Sequence, residues 1–395
     1  MGSWAGLLMK LVSVVSKLLL LVFILREMSE GALSQYYFLV TVAILIARVI
    51  SIGSEEQIAL QKRPDKAIYF YPMVWWWGVG AALLLLISFY SKSLSWMALA
   101  GAISYSALVA GFVRIVNPGL YEVVSNAPYF LVLMLGLISG VENAQQLVLY
   151  LGIAFFSVSF VVFAVHEPRW LLYGGRKSPF RPFEDLFFPI SQWFGKVLTS
   201  SLLVLNLRYT ILVFLLLHSA PNDTLALSLA VGEVVWQLGM VFVNRRFSAL
   251  VGSRRPILWN NDVRSLIFPF LVYCIAAVAF SILGVTIVKG LNWIPYTSIN
   301  NAYLLGGIVF GCSICLLSYL RVLYMVSGLD SVSQKKFNFV LLQLTMITLG
   351  ASVALLLPES IFWMSLYLGA AVNVICVALW AKVFKNSSNR PVELT

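Results

Sequence analysis

Residues 25–62 read LREMSEGALSQYYFLVTVAILIARVISIGSEEQIALQK: a polar turn, a continuous apolar run carrying the single cation Arg48, and a charged stretch opening after Gly53. From Tyr36 to Gly53 the run is roughly 18 residues, or roughly 27 Å at about 1.5 Å per residue, close to the ~30 Å of hydrocarbon in a bilayer. Backbone amides in lipid must be paired inside their own segment, and the alternation of a barrel strand is missing. The run is therefore expected to be a membrane-spanning helix.

The pattern recurs along the chain, at about 7–25, 36–53, 71–90, 95–113, 124–141, 147–165, 194–217, 224–243, 265–288, 302–322, 338–357 and 361–382. The seventh opens on Ile190–Leu203, which is amphipathic and is expected to run partly in the interface. Composition agrees: 61% hydrophobic residues, 11% charged residues and a mean hydropathy of +0.91 are too apolar for one soluble core. The expected fold is an all-α polytopic membrane protein of about twelve transmembrane helices in two six-helix bundles. The first apolar segment is long, carries Lys17 and has no small-residue cleavage pattern, so it is expected to remain as a helix.

Cations retained in cytoplasmic loops set the orientation. With both termini inside, of the 27 lysines and arginines only Arg26, Lys92 and Lys289 fall on the far side and Lys17, Arg48 and Arg208 within spans. The net charge of +11 is then topogenic and needs no nucleic-acid partner. The longest polar interruption, His166–Pro189 (HEPRWLLYGGRKSPFRPFEDLFFP), has a linker's prolines, glycines and basic cluster. It divides the chain into an N-terminal bundle 1–165, an interfacial linker 166–193 and a C-terminal bundle 194–395. Both halves enter from the same side, as in a parallel repeat about the membrane normal. Lys10-x-x-Ser13 and Lys196-x-x-Thr199, opening the first and seventh spans, are a faint echo of it.

Ionisable groups within spans cost about 2.5–3.5 kcal/mol each at a helix centre, so each needs a partner, a cavity or a function. Lys10, Ser13 and Lys17 share one face of the first helix, and Thr41, Arg48 and Glu55 one face of the second. For Arg48 an ion pair or snorkelling to the inner headgroups is the plainer alternative. Glu233, Gln237, Met240 and Asn244 form a stripe on the eighth span, and Glu233 is the one carboxylate read as deep in a span. Arg208, at comparable depth in the seventh span, is either its structural partner or part of a hydrated path. The pairs Gly136/Gly140 and Gly307/Gly311 read as close helix packing, and the aromatic run Tyr69–Trp77 as an interfacial belt. Cys274, Cys312, Cys315 and Cys376 lie in apolar spans and read as packing residues rather than redox or metal sites.

The first two helices are similar to the polysaccharide-transport (Wzx-type) branch of the multidrug/oligosaccharidyl-lipid/polysaccharide exporter superfamily. The matching features are an amphipathic first helix, a turn with Arg26, Glu30 and Gly31, Tyr36 and Tyr37 opening the second span, and Ile52-Gly53 closing it. The resemblance implies a transporter that flips an undecaprenyl-diphosphate-linked oligosaccharide, an O-antigen or exopolysaccharide repeat unit, across the bacterial inner membrane by alternating access. It gives Lys10, Lys17, Arg48 and Arg208 a role as cations toward the lipid diphosphate, while the stripe of Glu233 and Gln237, a carboxylate able to bind and release a proton, is expected to serve coupling. The implied partners are the lipid-linked substrate, membrane lipids and other glycan assembly proteins.

No nucleotide, metal or nucleophile motif is present, so no cofactor and no enzymatic activity are expected, and energy would come from an ion or substrate gradient. A membrane-embedded glycan polymerase would carry a large outside loop, whereas these outside turns are short. A drug/cation antiporter of the same superfamily is the nearer alternative, and it would favour acidic residues where this chain places cations.

Overall fold

The computed structural model describes residues 3–51, 77–88, 94–116, 118–166, 223–253, 259–290, 300–326, 334–358 and 361–388. They form eleven helices, with no strand among the described residues. The helices are α1 (Ser3–Glu27), α2 (Ala32–Ser51), α3 (Trp77–Ser88), α4 (Leu94–Val116), α5 (Pro118–Ser139) and α6 (Ala144–His166). They continue as α7 (Asp223–Ser253), α8 (Trp259–Gly290), α9 (Asn301–Val326), α10 (Gln334–Leu355) and α11 (Met364–Ser388). The fold is all-α, as the sequence predicts. The expected seventh span, and the linker from residue 167 onward, lie outside the described residues.

Among the described residues, four stretches are long and apolar enough to cross a bilayer: Leu94–Gly111, Leu120–Ser139, Ala144–Val165 and Asn301–Leu320. Ala32–Arg48, Trp77–Ser88, Phe268–Gly284, Leu342–Leu355 and Met364–Leu379 add shorter apolar helical stretches. Large apolar side chains such as Ile138, Phe268 and Leu356 stand exposed, with lipid as their solvent. This is a membrane protein.

The chain separates into two compact units, Met1–Ser201 and Leu202–Thr395. In the first, α4 is the central helix, packed by α2, α5 and α6. Leu99, Ala100, Ser104 and Val109 are fully enclosed, and Gly152 of α6 lies against the Leu99 backbone, where an added Cβ would come within 3.2 Å. In the second unit α9 takes that place between α7 and α11. Gly307 and Gly311 of α9 meet the Ser228 and Gly232 carbonyl oxygens of α7 so closely that no Cβ fits at either glycine. With lipid tails as apolar as leucine, helix association rests on such van der Waals fit rather than on expulsion of water.

The turns follow local chemistry. Gly31 takes φ +85°, a left-handed conformation cheap for glycine, just before α2. The Asn143 side chain caps α6 by accepting from the Gln146 N–H at 2.9 Å, while Gln146 Oε1 accepts from the Glu142 N–H at 3.2 Å. Asn300 caps α9 in the same manner, accepting from the Ala302 N–H at 2.9 Å.

Three expectations change. Gly140 has open space around its Cβ position and φ +63°, so it ends α5 as a turn residue and takes no part in a close crossing. Trp77 is not simply a belt residue: its Nε1 donates to the Gly101 carbonyl at 3.1 Å and its ring lies 5.1 Å from that of Tyr105. Finally, α7 and α8 run to 31 and 32 residues, longer than the stretches 224–243 and 265–288 read from hydropathy. At about 1.5 Å per residue each is roughly 47 Å long, so each continues beyond the hydrocarbon, where polar side chains do not interrupt a helix.

Candidate functional site

Lys17 of α1 turns toward α5. Lys17 Nζ sits 3.7 Å from the centre of the Tyr129 ring, so an aromatic face contacts the ammonium. Phe155 of α6 meets Tyr129 edge to face at 5.6 Å and braces it. One turn before Lys17, Ser13 is 1% exposed, and its hydroxyl has no hydrogen-bond partner among the described residues. Ser16 instead donates to the Val12 carbonyl at 2.7 Å within its own helix.

The facing side of α5 carries Glu122, Asn126 and Tyr129 at i, i+4 and i+7. Asn126, 4% exposed, donates 2.8 Å bonds to the Glu122 carboxylate and to the Glu122 carbonyl. Pro118 starts the helix at a position where its missing N–H costs nothing, which brings Glu122 into α5 ahead of the span start expected near residue 124. Pro128, just before Tyr129, leaves the Val124 carbonyl without its usual helical donor.

Arg48 of α2 is half-buried and close enough to Tyr121 of α5 for charge interaction. On its helix face, Thr41 and Ser51 are buried and their hydroxyls lack hydrogen-bond partners among the described residues. Tyr121 and Tyr129 are eight residues apart on α5, so the sites of Arg48 and Lys17 are separated by roughly 12 Å along that helix. Lys10 lies on the Lys17 face of α1, its side chain outside the described set, and Glu55 is likewise outside it.

In the second unit Glu233 is half-buried beside the glycine crossing of α7 and α9. Gln237, one turn on, is 8% exposed, and its Oε1 has no hydrogen-bond partner among the described residues. Between them Trp236 donates to Ser318 Oγ at 3.0 Å, and Ser318 passes a 2.8 Å bond to the Ile314 carbonyl. Arg208 lies outside the described residues, as does the side chain of Asn244.

No family profile matches the chain, and no curated protein matches it. Among solved structures it is similar to a eukaryotic MATE transporter, at 13% identity and a TM-score of 0.43 over 98% of this chain and 95% of that one. That transporter belongs to the multidrug/oligosaccharidyl-lipid/polysaccharide exporter superfamily. A likeness of this strength assigns neither family nor function.

The sequence singled out Lys17 and Arg48, and the structure sets Lys17 against Tyr129 of α5 and Arg48 within electrostatic reach of Tyr121. It missed Glu122, Asn126 and Tyr129. Their helical spacing was present in the sequence, but cutting the span at residue 124 separated Glu122 from the other two.

Proposed function

We propose that this chain is a transporter that moves an anionic, diphosphate-linked glycan lipid across a bacterial inner membrane by alternating access. In this reading the bundles 1–165 and 194–395 are the moving halves, 166–193 joins them on the cytoplasmic side, and both termini are cytoplasmic. The observation that carries it is Lys17, whose ammonium lies on the face of Tyr129 one turn from the enclosed hydroxyl of Ser13. Lys17 and Arg48, with Lys10 and Arg208, supply positive charge for a diphosphate, while the polyprenyl tail stays in lipid. Glu233 and Gln237 form the coupling group, and other glycan assembly proteins deliver and receive the substrate.

The drug/cation antiporter reading has its own support, because the Tyr129 face already holds an ammonium and Glu122 stands on the same side of α5.

Reconstitution into vesicles with a fluorescent polyprenyl-diphosphate oligosaccharide separates the two. Loss of one charge-assisted contact, about 1.5–3 kcal/mol, should slow transfer by Lys17→Ala about tenfold or more at unchanged protein abundance. Lys17→Arg should retain most of it. Full transfer by Lys17→Ala would remove the residue from the site, and inhibition of wild-type transfer by quaternary ammonium ions alone would favour the antiporter.

A further inference from the structure

Helices α1 and α5 pack side by side, and two contacts fix their direction and register. Lys17 Nζ lies 3.7 Å from the centre of the Tyr129 ring. Six residues further along α1, the Phe23 ring comes 3.7 Å from the Cβ position of Gly136, seven residues further along α5. Contacts that advance together along both chains make the helices parallel. Stepping back seven residues on each helix is two turns and returns to the same face, which brings Lys10, placed by its backbone, to the level of Glu122. Between the two levels Ser13 of α1 and Asn126 of α5 are both enclosed, so packing continues over the interval.

Glu122 is half-buried, and Asn126 holds it, with Nδ2 donating at 2.8 Å both to Glu122 Oε2 and to the Glu122 carbonyl. Lys17 is two turns away, roughly 10 Å along the helix, and meets Tyr129. A carboxylate among apolar helices is stabilised by an opposite charge, and the α1 cation that the register carries to its level is Lys10.

We infer that Glu122 is the internal counter-ion of the cation face of α1: it pairs with Lys10 when no ligand is bound and yields that ammonium to a lipid-borne diphosphate. The ligand class rests on the proposed function, whereas the pair rests on the helix register alone. No covalent bond changes. One ammonium exchanges carboxylate oxygens for phosphate oxygens, and both partners make charge-assisted contacts. The consequence is a threshold for charge. A neutral lipid cannot repay the broken pair, whereas a diphosphate, with more negative charge than a carboxylate, can.

The test uses the full chain in lipid nanodiscs. Lys10→Glu and Glu122→Lys should each lower the midpoint of thermal unfolding, and the chain carrying both should recover most of the loss. A double swap no more stable than the single ones would show that Glu122 pairs elsewhere, for instance with Arg48, and would overturn the pair. Displacement is read by calorimetric titration with farnesyl diphosphate. Glu122→Gln keeps an acceptor for Asn126 and has no pair to break, so it should bind about tenfold more tightly than the parent, while Lys10→Gln binds more weakly. If the parent bound farnesyl diphosphate through Lys17 but Glu122→Gln bound it no more tightly, displacement would be wrong and the proposed function would stand. Binding by neither chain would defeat both. Tighter binding of inorganic pyrophosphate than of farnesyl diphosphate would give the site to a free anion and overturn the lipid-borne ligand.

Discussion

Replacing Gly232 by alanine would test whether the contact between α7 and α9 is as close as the structure has it. The new Cβ would stand 2.5 Å from the Gly307 carbonyl oxygen and 3.2 Å from its carbon. An ordinary carbon–oxygen contact is about 3.4 Å, so the helices must part by roughly 0.9 Å, and the obstacle is backbone that cannot rotate away. A gap of that size forfeits a quarter to a half of each dispersion contact across the crossing. Those contacts involve Leu225, Leu229, Phe310 and Ile314 on one side and Val231, Val235, Leu304 and Ile308 on the other. Overpacking usually costs about 1–3 kcal/mol, and a backbone obstacle puts Gly232→Ala at or above the top of that range. Gly284→Ala is the matched control: nothing lies within 4 Å of its Cβ position, so it should be neutral or stabilising by up to about 1 kcal/mol. Thermal unfolding in detergent, followed by tryptophan fluorescence, ranks the two variants against the parent. If Gly232→Ala melted with the parent, or Gly284→Ala lost as much stability as Gly232→Ala, the close crossing would be wrong.

Two further outcomes follow from the charged positions. Glu233→Gln keeps the side-chain volume and removes titration, so substrate should still bind while transport loses its dependence on a pH gradient; unchanged dependence in a folded protein would reject a coupling role. In a cysteine-free background, Ser178→Cys and Ser388→Cys should resist an impermeant maleimide added to intact cells while Asn222→Cys reacts. Labelling of Ser388→Cys from outside would overturn the topology with both termini in the cytoplasm.

Helices were legible because lipid forces each apolar run to satisfy its own backbone, whereas the caps at Asn143 and Asn300 that start α6 and α9 were not used and hydropathy put those starts at 147 and 302. Their full lengths were not. Hydropathy marks the hydrocarbon, and α7 and α8 continue as helix where polar residues meet water or headgroups. Gly136 and Gly140 looked like a packing pair because spacing alone does not reveal φ, and only the turn before Asn143 gives Gly140 its role. The site was half legible. Periodicity placed Ser13 and Lys17 on one face, but the partner of Lys17 is a tyrosine more than a hundred residues along the chain. No local pattern records such a pairing. Trp77 escaped for the same reason, since its hydrogen-bond acceptor is a carbonyl of another helix.

The glycine crossing also bears on how the second unit can deform. Where two backbones touch with no side chains between them, no rotamer change can absorb sliding or rotation, so α7 and α9 behave as a stiff beam. Their neighbours are joined to that beam by side chains: α8 through Tyr273, and α11 through Asn373, whose amide donates to Ser313 Oγ at 3.0 Å. Side-chain joints can exchange partners at modest cost. Strain applied to this unit would therefore appear first as displacement of α8 and α11 about a fixed α7–α9 axis, and Glu233, carried on that axis, would keep its place while its surroundings change.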